Sequence, residues 1–138
     1  MVKGVKENAT LDPQLDSWYL TLETDNMKQL EDTLNVIEKE LRALNLWETA
    51  QPPIHDLQSQ MPFCYDTLRL PQWLQWVFLP RCQQILRTRQ GIPEISDIYT
   101  IAEYYFSEAG IDAEGLLIAI RRFDTLIAEW NSPGKQEH

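Results

Sequence analysis

Met27, Leu30, Leu34, Ile37, Leu41 and Leu44 follow one another at alternating spacings of three and four residues. That spacing gathers them on one narrow stripe of an α-helix, whereas on a strand it would scatter them over both faces. The other faces of the run are charged, and neither Gly nor Pro interrupts it. Thr24 or Asp25 is placed to cap its start, and Asn45 suits the left-handed position just past a helix end. The sequence therefore predicts a first helix over residues 26–45, on the outside of its domain.

The same period accounts for the rest of the chain. A second helix is predicted from Pro71, a residue suited to a first helical turn, to Gly91. Leu74, Val77, Phe78, Cys82 and Ile85 form one face of it, and Trp73, Trp76, Leu79 and Leu86 widen that face beyond half the circumference. A helix apolar on most sides is a central one. Pro80 lies well inside it, lacks an N–H and crowds the carbonyl of Trp76, so a bend is expected there. A third helix is predicted over residues 97–109, with Gly110 ending it. A fourth, capped by Asp112, runs to Trp130. Between the first two helices lies a long connection in which Pro52, Pro53 and Pro62 block regular structure, while Trp47, Ile54, Leu57, Met61 and Phe63 argue that it packs. No strand period and no repeat is present. The expected fold class is all-α: a small four-helix bundle with a long Pro-containing loop between helices one and two.

Residues 1–24 carry no sustained period and are interrupted by Pro13, which suggests an N-terminal arm or extension. The helical domain then covers 25–130, and 131–138 reads as a disordered tail. At 138 residues, 43% of them hydrophobic, the chain suits one domain with its own core. No run reaches the roughly 18 apolar residues that span a bilayer, and the N-terminus has no apolar signal region. Cys64 and Cys82 then read as free buried thiols, and the expected compartment is cytoplasmic, away from the membrane. Twelve basic against 21 acidic residues give a net charge of −9, which disfavours non-specific nucleic-acid binding. Arg81, Arg87, Arg89 and the Arg121–Arg122 pair are the local exceptions. Cations at helix ends account for Arg87 and Arg89 more readily than a nucleic-acid patch does.

The chemistry-bearing residues are sparse. His55 sits in the Pro-rich loop and His138 at the terminus, so no metal or general-base cluster assembles from them. The cysteines lack CxxC spacing and a nearby His, and no Gly-rich phosphate loop is present. No catalytic residue, metal site or cofactor is expected, and the chain reads as a non-enzyme. Two features stand out instead. Arg81 projects into the apolar face of helix two, and Asp124 borders the apolar face of helix four. A buried charge needs a partner, so Arg81–Asp124 is the expected structural ion pair, with Asp66 and Glu103 as rivals. The rival reading lays the Arg81 stem on apolar surface with its guanidinium in water. Trp73 and Trp76 lie three residues apart beside Gln72, Gln75 and Gln83. They either pack beneath the long loop or, with Phe63, present an aromatic platform to a partner.

The run PFCYDTLRLPQWLQWVFLPRCQQIL, residues 62–86, resembles the signature of the YqcC-like family of proteobacterial proteins. The resemblance rests on Pro62, Phe63, Asp66 and Thr67, then Trp73-Leu74-Gln75-Trp76-Val77, then Pro80-Arg81. It extends more weakly to residues 101–105 and Asp124, and covers about residues 26–130. It implies a cytoplasmic, four-helix protein without an established activity. Genes of the family often lie beside that of a tRNA pseudouridine synthase, which implies an accessory role in tRNA modification. This chain departs from the pattern in its N-terminal extension and in Cys82, where a methionine is expected. Two functions follow. One is a binding or adaptor module whose partner is another protein, with a tRNA pseudouridine synthase as the candidate. The other is an accessory factor that touches tRNA directly through the arginine clusters.

Overall fold

Helices account for all regular structure in the described part of the chain. In the computed structural model, residues 13–131 are described, with side chains from residue 25 onward. Within that range no strand occurs. Four long helices and one short one follow in order: α1 over Pro13–Ala43, α2 over Ile54–Leu57, α3 over residues 70–88, α4 over Ile98–Ala109 and α5 over Glu114–Trp130. The expected tail beyond residue 131 lies outside the described residues, as do residues 1–12. None of the helices is long and apolar enough to cross a membrane.

The chain divides into two compact units, residues 1–30 and 31–138, with the boundary inside α1. In the first unit the helix begins at Pro13, well before the expected start at residue 26. Pro13 therefore opens the helix where it was read as an interruption. A proline in the first turn loses no hydrogen bond, because the first N–H groups of a helix have no internal acceptor. Met27 and Leu30 in this unit are buried.

In the second unit Leu34, Ile37 and Leu41 continue the buried stripe of α1. Asn45, at φ 61°, ends the helix as expected: its N–H donates to the Arg42 carbonyl, and that of Leu46 to the Leu41 carbonyl. This pair of bonds is a Schellman closure. At the other end of the unit, a methyl group on Gly115 in α5 would meet the Glu40 carboxylate at 2.5 Å, so α1 and α5 run close there.

The connection from 46 to 69 is not free of structure. It holds α2 and a 3-10 turn over Pro62–Cys64. Pro52, Cys64 and Leu68 are buried and Trp47, Leu57 and Phe63 half-buried, whereas Ile54 and Met61 face solvent against expectation. The Thr67 hydroxyl donates to the Asp56 carbonyl at 2.6 Å and closes the loop on itself.

Helix α3 is central, as its apolar circumference requires. Leu70, Trp73, Leu74, Phe78, Leu79, Cys82 and Ile85 are buried, and Val77 is half-buried. Its middle, Leu74–Phe78, is a π-helical turn in which the Leu79 N–H reaches back to the Leu74 carbonyl. Pro80 explains the position. It offers no N–H to the Trp76 carbonyl and its ring needs room beside it, and one wider turn provides that room while the backbone stays helical. The helix ends at Thr88, short of Gly91, because Arg89 takes the left-handed conformation at φ 58°. Helices α4 and α5 pack on each other. They contribute Ile98, Ala102 and Phe106, and Leu116, Ala119, Ile120, Phe123, Leu126 and Ile127, to the core.

Candidate binding surfaces around the central helix

On one side of α3, polar groups converge on Glu48. The buried Gln75 carboxamide donates to the Glu48 carbonyl at 2.7 Å and accepts from the Glu48 N–H at 2.8 Å. The Glu48 carboxylate accepts from the Trp76 indole N–H at 3.1 Å and from the Gln72 amide at 3.1 Å, with Arg69 3.5 Å away. Gln72 also accepts from the Arg69 N–H, which caps α3. The spacing of Gln72, Gln75 and Trp76 puts all three on one helical face, so one loop residue meets them together. Beside this knot is an open groove of about 510 Å³ formed in part by Trp47, Trp76, Pro80 and Gln83. The Arg42 guanidinium covers the Trp47 ring at 4.4 Å from its centroid. Trp76 is thus half-buried and tethered, and its indole edge is already spent on Glu48.

The other side of α3 carries a chain of rings. Phe63 meets Trp73 edge-on at 4.9 Å, Trp73 meets Phe78 at 5.5 Å, and Phe78 meets Phe123 of α5 edge-on at 4.8 Å. Trp73 is only 8% exposed, so it supports the core and offers little surface. Over these rings lies a second groove of about 400 Å³, bordered by Phe63, Arg81 and Ile95. Phe63 and Cys64 both hold positive φ, at 56° and 50°. Two consecutive non-glycine residues in that region are uncommon.

The expected ion pair of Arg81 does not form among the described residues. Asp124 instead caps α4 from the neighbouring helix, accepting from the Tyr99 N–H at 2.8 Å, the Ile98 N–H at 3.1 Å and the Ser96 hydroxyl at 2.5 Å. A carboxylate facing two free amides at a helix N-terminus gains from the helix dipole as well as from the bonds. Asp66 accepts from the Ser59 hydroxyl at 2.5 Å, and Glu103 from the Tyr99 hydroxyl at 3.1 Å. Arg81 is exposed at the groove edge. The other arginines are dispersed: Arg87 donates to Gln84, and Arg121 lies over the Tyr99 ring at 4.5 Å.

Reactive groups are few. Burial pushes the Cys82 thiol from an ordinary 9.0 up to about 12, against the opposing pull of Arg81, so it stays protonated at neutral pH. His55 lies exposed against its neighbour Asp56 at 2.9 Å. Among the described residues no three His, Cys, Asp or Glu side chains are grouped to hold a metal. Sequence reasoning missed Glu48, and it named Gln75 only as a neighbour of the tryptophans. A Gln inside the apolar arc of α3 is the signal that was available, since a buried amide requires partners.

Fold and surfaces define a helical protein with open grooves along a central helix. The chain belongs to the DUF446 family, whose model, described as tRNA pseudouridine synthase C, matches residues 29–126. It is 31% identical over 99 residues to the uncharacterized protein YqcC of Escherichia coli, covering 70% of this chain and 88% of that one. An uncharacterized protein of Haemophilus influenzae is 37% identical over 65 residues, which are 47% of this chain and 61% of that one. A Pectobacterium carotovorum chain named tRNA pseudouridine synthase C is likewise 37% identical over 65 residues, 47% of this chain but 17% of that one. No solved structure matches the chain.

Proposed function

We propose that this chain is a non-catalytic adaptor that binds a tRNA pseudouridine synthase and acts where that enzyme meets tRNA, in the cytoplasm. The observation that carries the reading is the Pectobacterium chain, in which a segment similar to this one makes up 17% of a protein named as the synthase. A module joined covalently to an enzyme is held beside it at high effective concentration. The same module on a separate chain must supply that proximity by binding. The scarcity of reactive groups among the described residues supports a binding role: the Cys82 thiol is protonated and His55 lies against its neighbour Asp56.

The test is direct. Purified chain mixed with tRNA pseudouridine synthase C of its host is expected to elute as one complex at about 10 µM of each, the regime of a micromolar interface. Separate elution at that concentration defeats the proposal. With tRNA alone at physiological salt no retention is expected, because the chain carries a net charge of −9. Retention on tRNA without the synthase would favour direct contact through Arg87, Arg89, Arg121 and Arg122.

A further inference from the structure

We infer that the groove between Phe63, Arg81 and Ile95 receives an apolar segment of the synthase that carries a carboxylate beside its apolar side chains. This rests on the partnership proposed above and adds to it a surface and a chemistry. The floor of the groove is rigid, because Trp73, Phe78 and Phe123 are buried and packed ring against ring. Its rim carries Gln84, Gln90 and Asp97, and among them stand two apolar side chains: Ile95 is 84% exposed, and Phe63 is half-buried. A single exposed isoleucine needs no explanation, but one standing over an aromatic floor adds a wall to a cleft. Phe63 is held there by a backbone in the left-handed region, a conformation that is unfavourable for a non-glycine residue and tends to persist where a side chain must be aimed.

Charge identifies the occupant. Asp97, which also lines the groove, is engaged at the start of α4, where it accepts from the Thr100 N–H at 3.3 Å and the Thr100 hydroxyl at 2.9 Å. Arg81 makes no ion pair among the described residues and keeps its planar fork of donors exposed. A guanidinium at the edge of an apolar cleft fits a carboxylate in two parallel hydrogen bonds, and the apolar surroundings strengthen that pairing once water leaves. One cation in an apolar groove, on a chain of net charge −9, does not fit a phosphate backbone. The geometry favours a protein segment over RNA.

The experiment measures binding of full-length variants to purified host tRNA pseudouridine synthase C by calorimetry. Arg81 and Ile95 are exposed, so Arg81→Glu and Ile95→Glu should keep the wild-type thermal transition. Each should weaken binding by about tenfold or more, with Arg81→Glu losing most at low salt. Arg81→Gln, which removes the charge with little effect on helix propensity, should fall between wild type and Arg81→Glu. Gln83→Glu, on the rim of the opposite groove, should bind as wild type does. Wild-type binding that both groove variants retain would overturn the inference and leave the partnership standing. Absence of wild-type binding would overturn the partnership and this inference with it. A wild-type self-dimer that Arg81→Glu dissolves would assign the groove to a second copy of the chain and refute the synthase segment.

Discussion

The side-chain amide of Gln75 brackets the backbone of Glu48, giving a hydrogen bond to its carbonyl at 2.7 Å and taking one from its N–H at 2.8 Å. Two polar groups of a packed loop are satisfied by one side chain of the π-helical turn in α3. Gln75 is 5% exposed, so water cannot readily replace it. Gln75→Ala should therefore cost about 2–3 kcal/mol in urea unfolding, since it strands a donor and an acceptor together. Gln72→Ala removes partners that are nearer to solvent and should cost about 1 kcal/mol or less. Equal effects of the two changes would contradict the bracketing role.

Asp124 and Arg81 offer a second contrast. Because Asp124 satisfies the first amides of α4, Asp124→Ala should cost about 1–3 kcal/mol. Arg81→Met should shift stability by no more than about 0.5 kcal/mol, as expected for an exposed side chain without an ion pair among the described residues. Were the two residues bonded to each other, both changes would be costly. Chemical denaturation of the two variants and of the double variant distinguishes these cases, and additivity in the double variant is the expected outcome.

These two residues also mark where sequence reading stops. The helical wheel puts Asp124 at the edge of an apolar face, where it is half-buried, but it puts Arg81 inside one, whereas Arg81 is exposed; a wheel also holds no information about which loop arrives opposite each. Ser96 and the amides of Ile98 and Tyr99 outbid a guanidinium because they belong to a helix start that packs against α5. Glu48 escaped notice for the same reason: its partners are 21 to 28 residues away in sequence. Local physics read better. The stripe of α1, the left-handed Asn45, the Gly110 helix end and the disturbance near Pro80 are each set by neighbours within a turn or two. Pro13 is the exception, since its ring suits a helix start as well as a break, and only the residues after it decide.

Leu74 tests the placement of the core. It has 0% exposure at the first position of the π turn, on the central helix. Leu74→Ala should cost about 2–5 kcal/mol, the transfer free energy of the lost carbons plus the cavity left in surroundings that relax only in part. Ile95→Ala, by comparison, should leave the urea midpoint unchanged, because that side chain is already in water. A wild-type midpoint for Leu74→Ala would mean that α3 is not central.

The final prediction concerns Cys82 and alkaline pH. Its thiol is 3% exposed, and burial raises it from 9.0 to about 12, with Arg81 pulling the other way. Below about pH 9 the thiol is protonated in both folded and unfolded chains, so it contributes no pH dependence. Above that the unfolded chain releases the proton while the folded chain keeps it, so the unfolded state binds fewer protons and stability falls as pH rises. The loss should run from about pH 9 to about 12. The measurement is the difference between wild type and Cys82→Ala, which isolates the thiol from the rest of the chain. The variant should start less stable, for want of the sulfur in the core, yet lose less stability per pH unit across that window. Arg81→Met should act in the opposite sense on Cys82, removing the cation that favours the thiolate and extending the alkaline loss to higher pH. In parallel, a thiol reagent at pH 8 should modify Cys82 slowly in the folded chain and rapidly in urea. Rapid modification without urea, or identical alkaline slopes for wild type and Cys82→Ala, would mean that the thiol is not held in the core beneath the second groove.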